Sequence, residues 1–185
     1  VESLTLSAVE RWRDKVCISY VDLGGSLDVL ASLRTTQKLL YELYDAPDQI
    51  LRLTREVTAS WLHFFDELDG MLAGSPRGVS AWAPLWAPES MYMFQCDFAY
   101  MISPRMFEQF VIPDLHTCCD HVTHAFYHMD GKGQLPHLDL LLSIENLNGI
   151  QWIPGQGQPA PEEWLQVLSR IRSAGKLCQV FVTPE

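Results

Sequence analysis

Three short stretches hold side chains whose types and spacing suit chemistry. In Tyr127-His128-Met129-Asp130-Gly131 an imidazole and a carboxylate stand two residues apart, so in an extended segment both project from one face. Such a pair can ligate a divalent metal or act as a hydrogen-bonded acid and base. The plainer arrangement has Asp130 cap the turn before Gly131 and leaves His128 a satisfied polar residue. In Gln95-Cys96-Asp97-Phe98, Asp97 offers a carboxylate that contacts or protonates a substrate, or else anchors the following loop. Gln151 and Trp152 close another apolar stretch and are candidate substrate contacts, although Trp152 and Phe126 suit a core equally well. His137, in Pro136-His137-Leu138-Asp139, belongs to a helix start from which it can point back to the same place. Asp139 there complements the helix dipole. His116, His121 and His124 crowd nearby in sequence, but the first two fall on an outer helix and read as solvated.

Side chains like these converge only if the chain brings strand ends together. Val16–Val21, Val79–Trp86, Val122–His128, Leu147–Ile153 and Leu177–Val182 are short apolar runs of strand length; Met91–Phe98 fits a strand or a site loop. Between them lie helices over Ser26–Leu33, Thr36–Tyr44, Pro47 to about Gly70, from Ser103-Pro104 with a restart at Pro113, around Leu135–Ser143, and from Pro161 to Gly175. The helix after Pro47 carries an apolar stripe at Ile50, Leu53, Val57, Trp61, Phe64 and Leu68. Strand, loop, helix is the repeating unit, which implies an α/β fold of parallel strands with helices outside, in a doubly wound sheet or a (β/α) barrel. In either, the loops after the strands' C-terminal ends hold the site. That selects Asp97, His128, Asp130 and Gln151, and predicts that Asp97, His128 and Asp130 approach one another.

The 185 residues form one domain, 48% hydrophobic and 19% charged, which excludes a disordered chain. A complete eight-stranded barrel typically takes about 250 residues, more than this chain has. The formal charge is −10, from 13 basic and 23 acidic residues with no basic cluster. Nucleic acid and anionic membranes are therefore poor partners, and no apolar run has the length of a membrane span. No secretion signal opens the chain. The five cysteines form no CxxC pair, so a reducing cytoplasm is expected. Walker, GxGxxG, GxSxG and HExxH motifs are absent from the sequence.

Leu23–Leu30, Tyr44-Asp45-Ala46-Pro47, Gln95–Phe98, Ile102–Pro113, Tyr127–Gly131 and Gly149–Gly155 come in an order that resembles the uroporphyrinogen decarboxylase superfamily. The resemblance runs from about Val16 to Leu177. It implies a (β/α)8 TIM barrel, of which the chain corresponds to the middle and later portion, a partial barrel. The superfamily holds cofactor-free decarboxylases and zinc-dependent methyltransferases that move a methyl group between a corrinoid protein and a thiol. His128 stands at the histidine of the methyltransferases' His-x-Cys-Gly, with Asp130 in place of the cysteine; a third metal ligand is expected beyond Glu185. Asp130-Gly131 matches the decarboxylases better than His128 does. Asp97 falls at a polar substrate-contacting position, and Gln151 where many decarboxylases have Asp.

The resemblance thus implies metal-assisted methyl transfer from a corrinoid or methylated donor to a thiol. Zinc would be held by His128 and Asp130, with Asp97 catalytic and Gln151, Trp152 and His137 at the substrate. Decarboxylation of a uroporphyrinogen-like acid without cofactor is the alternative, and a non-catalytic binding or assembly module a third. Open sheet edges at Val16–Val21 or Leu177–Val182 predict a homodimer.

Overall fold

The computed structural model describes residues 1–182. It opens with a helix that the sequence patterning leaves unsignalled, α1 (Glu2–Trp12), followed by β1 (Ile18–Ser19), α2 (Ser26–Arg34), α3 (Thr36–Asp45) and α4 (Pro47–Leu72). Then come β2 (Val79–Ser80), β3 (Trp86–Ala87), β4 (Met91–Gln95), a 3-10 turn over Asp97–Met101, α5 (Pro104–Phe110) and α6 (Ile112–His121). The last part holds β5 (His124–Asp130), a 3-10 turn over Lys132–His137, α7 (Leu138–Leu142), β6 (Leu147–Ile153), α8 (Leu165–Ser173) and β7 (Leu177–Gln179).

Strands β4, β5, β6 and β7 form one all-parallel sheet in sequential order. The fold is therefore α/β, with helices joining and covering parallel strands. One face carries Phe94, Tyr127 and Ile150, aligned across β4, β5 and β6 and all buried. Phe94 meets Trp61 of α4 at 5.2 Å between rings, and Tyr127 meets Phe107 of α5 edge-on at 6.4 Å. This is the helix-covered face. A second, small sheet joins β1 to β2 in parallel and β2 to β3 antiparallel.

Several expected boundaries move. The strand expected over Val16–Val21 keeps only Ile18–Ser19. The run from Val79 to Trp86 is two strands folded back on each other, because Pro84 brings no N–H and the Ser80 hydroxyl bonds the Ala81 and Ala83 carbonyls at 3.1 and 3.5 Å. The final strand stops at Gln179, short of Val182, and its outer edge has no strand partner among the described residues. Helix α4 runs through Gly70 to Leu72. Its buried face is Ile50, Thr54, Thr58, Trp61, Phe65, Leu68 and Leu72, whereas Phe64 is 52% exposed. The threonines tolerate burial because each hydroxyl bonds back to its own helix, Thr58 to the Thr54 carbonyl at 3.0 Å.

Cap signals agree with the structure elsewhere. The Ser103 hydroxyl accepts the Met106 amide at 3.3 Å, and the chain restarts as α6 at Ile112-Pro113. Pro136, lacking an N–H, keeps residues 132–137 in a tighter turn before α7. Pro161 likewise opens a 3-10 turn rather than α8 itself, which ends at Ser173 with Gly175 just beyond it at φ +79°. Among the described residues no helix is long and apolar enough to cross a membrane, and all five cysteines are free thiols.

Candidate functional site

In-register parallel pairing fixes which side chains meet. Gln95, His128, Gln151 and Gln179 are cross-strand neighbours on β4, β5, β6 and β7, so they form a polar row on the face opposite Phe94 and Tyr127. Asp97 and Asp130 lie two residues further along their chains and continue that face at the C-terminal edge. One ligand atom each of Asp97, His128 and Asp130 lies within 4.8 Å of the others. The expected convergence of these three is therefore the geometry the structure has.

The surroundings define what each group can do. His128 Nδ1 donates to Gln151 Oε1, which selects one tautomer and leaves Nε2 with its lone pair for a ligand or a proton. The edge of Trp82 packs on the imidazole, with ring centroids 5.3 Å apart, and the Trp82 indole N–H is tied to the Met93 carbonyl at 2.8 Å. Asp97 has its carboxyl pKa raised by burial; the neighbouring His128 pulls it down, and Asp130 and Asp22 push it up.

Sequence patterning missed two residues that shape this edge. Asp28 of α2 accepts the backbone amides of Asp97 and Phe98 at 3.0 and 2.8 Å, and so holds the turn from which Asp97 projects. Asp22 accepts from Gln95 Nε2 at 3.1 Å and from the Gly24 amide at 2.8 Å. Its loop is pinned by Tyr92, whose hydroxyl accepts the Leu23 amide at 2.6 Å and donates to the Val21 carbonyl at 3.3 Å. The Gly24-Gly25 pair in this turn is a local chain breaker, but the partner of Asp22, Gln95, lies 73 residues away.

Two expected contacts lie elsewhere. Trp152 alternates with Gln151 on β6 and therefore points to the other face, fully buried, with its ring 5.2 Å from that of Trp164. His137 is fully buried too. Its Nε2 donates to the Ala99 carbonyl at 2.9 Å and its ring stacks on Phe107 at 4.4 Å. Burial lowers the pKa of His137, which keeps it a neutral core residue. His121 bonds Asp66 at 2.6 Å on the helical surface, and His124 lies 3.7 Å from Glu89.

In comparisons with known proteins, no family model, no curated protein and no solved structure matches this chain. The chemistry therefore rests on the side chains. One imidazole and two carboxylates make a nitrogen–oxygen donor set suited to zinc or another borderline-to-hard divalent ion. Around such an ion, bonds of about 2.0–2.2 Å place neighbouring donors roughly 3.3 Å apart, so the set closes on an ion with side-chain movements of about 1 Å. Cys96, between Gln95 and Asp97, cannot join it. It is buried, on the helix-covered face, and burial pushes its thiol well up. Two clefts flank the cluster. One of about 340 Å³ borders Asp28, Gln95 and Asp97; the other, of about 270 Å³, borders Asp130, Lys132 and Tyr100. A small molecule thus has room on both sides.

Proposed function

We propose that the strand-end cluster is a divalent-metal centre of a uroporphyrinogen-decarboxylase-like partial barrel, and that it serves methyl transfer from a corrinoid or methylated donor to a thiol. The observation that carries this is the convergence of Asp97, His128 and Asp130 at the C-terminal edge of parallel strands, where barrel enzymes keep their sites. The strand order supports the barrel reading. Within the four-stranded sheet each strand pairs in parallel with the next in sequence, as in a barrel, without the reversal of a doubly wound sheet.

Zinc or a comparable ion would supply the Lewis acidity that favours the thiolate of a bound thiol at neutral pH. His128, oriented by Gln151, presents Nε2. Asp130 supplies an oxygen where the resembled methyltransferases have sulfur. Asp97 places a second carboxylate beside them, where it can contact the bound thiol. Gln151 keeps the imidazole from rotating. The second reading, cofactor-free decarboxylation, uses Asp97 as a substrate-contacting carboxylate at the same strand edge. It brings a polyanionic porphyrinogen up to Asp22, Asp28, Asp97 and Asp130, and that like-charge field favours the first reading.

Zinc titration by calorimetry, with His128→Ala as the comparison, tests the proposal. Binding near one ion per chain, lost in the variant while circular dichroism is unchanged, is the expected result. Equal affinity in both proteins, or no binding by either, ends it. A metal-free protein that binds anionic tetrapyrroles instead would establish the second reading.

A further inference from the structure

A small cavity lies on the helix-covered side of β4, beneath the first turn of α2. Gly25 and Ser26, Thr58 of α4, Asp114 of α6 and Cys96 are among its walls, and it offers about 30 Å³. One water molecule needs about 10–15 Å³ of such space.

Two sets of unmatched polar groups of opposite sense meet there. Asp114 is only 8% exposed, and its Oδ2 has no hydrogen-bond partner among the described residues. Burial raises its pKa, and the nearby hydroxyls of Ser26, Thr58 and Thr54 offset part of that rise. Opposite stands the N-terminus of α2. No side chain among the described residues caps it, and the first amide used by its ladder is that of Val29, 2.9 Å from the Gly25 carbonyl. The amides before Val29 have no acceptor within the helix.

The chemistry of an occupant follows from both ends. An anion suits a helix N-terminus but is repelled by Asp114. A cation suits the carboxylate but faces the positive end of the dipole. A neutral molecule that accepts one hydrogen bond and donates another answers both, and the volume admits nothing much larger than water. We propose that this cavity is a built water site, whose occupant accepts from the first-turn amides of α2 and donates to Asp114 Oδ2. The bridge fastens α6 to α2, and α2 carries Asp28, which holds the Asp97 turn. Asp114 is then a positioning residue for the strand-end cluster. The water site stands on the cavity alone; the effect on Asp97 rests on the metal-centre reading.

An atomic-resolution crystal structure of the wild-type chain decides the first part. The expected result is one peak within hydrogen-bond distance, about 2.7–3.2 Å, of both Asp114 Oδ2 and an α2 amide. An empty cavity, or an anomalous signal from an ion, overturns it. Asp114→Asn keeps an oxygen for the water and should retain the peak, whereas Asp114→Leu should displace it. Zinc affinity reads the coupling. A loss of about tenfold, the scale of outer-shell changes, is expected in Asp114→Leu and not in Asp114→Asn. Equal affinities in all three overturn the positioning role. If the wild type binds no zinc, the metal-centre reading fails, and the density still decides the water.

Discussion

Asp28 is where the candidate site is most open to a quantitative attack. Its carboxylate accepts two backbone amides, those of Asp97 and Phe98, at 3.0 and 2.8 Å. Asp28→Ala removes both acceptors. A hydrogen bond to a charged group contributes about 1.5–3 kcal/mol net. The Asp97 bond is solvent-exposed and the Phe98 bond half-buried, and desolvation already disfavours the charged carboxylate. Both facts place the sum near the bottom of the range, about 3 kcal/mol for the pair. For a chain of this length that corresponds to a melting temperature lower by about 6–12 °C. Asp28→Asn keeps one carbonyl acceptor and should lose about half as much. The functional readout is separate. If the Asp28 bonds aim Asp97 at the cluster, zinc affinity measured by calorimetry should fall about 10- to 100-fold in the alanine variant, with the asparagine variant in between. A melting temperature that drops as expected while zinc affinity stays unchanged refutes the reasoning. Asp28 would then brace the fold without aiming the site.

Gly25→Ala should be severe although its φ of −91° suits any residue, because the new Cβ would meet the Gln95 carbonyl oxygen at 2.2 Å. Overpacking against backbone costs about 1–3 kcal/mol or more, and a denaturant midpoint equal to wild type would contradict the close approach. Asp28, Asp97 and Asp114 all have raised pKa values, each caused first by burial. The folded chain therefore retains protons that the unfolded chain releases near pH 3.9, about the ordinary value for Asp. Their contribution to stability is fully present below that pH and is lost as pH rises through the folded values. Relative to the triple Asp→Asn variant, wild-type stability should fall on going upward from about pH 4; parallel profiles would refute this. Beside the open edge of β7, Leu177 and Phe181 are each 52% exposed and Val182 is 66% exposed, which supports our proposal of a two-fold homodimer burying more than roughly 2,000 Å² in total. Sedimentation as a stable monomer at micromolar concentration would remove that idea.

Much of the local structure follows from the sequence alone. Ser103-Pro104, Pro113, Pro47 and the Arg170, Arg172, Gly175 run mark helix boundaries through backbone chemistry that acts within one turn, so neighbours in sequence suffice to read them. The period-two alternation of Tyr127-His128-Met129-Asp130 put His128 and Asp130 on one strand face for the same reason. Only tertiary structure decided which face each strand shows to the helices. Gln151 and Trp152 are adjacent in sequence, yet one meets His128 and the other is sealed under Trp164. The alternation fixes that they diverge but not which way, and the helices that cover one face settle it. His137 reads as a site residue until Phe107 and Ala99 enclose it. The buried face of α4 includes Thr54 and Thr58 beside Asp114, and Phe65 against the Tyr20 and Tyr92 rings, neighbours that hydropathy cannot signal. Asp28 and Asp22 escaped for the most general reason. Their partners Asp97 and Gln95 lie about seventy residues away, and a hydrogen bond of that separation exists only once the chain has folded.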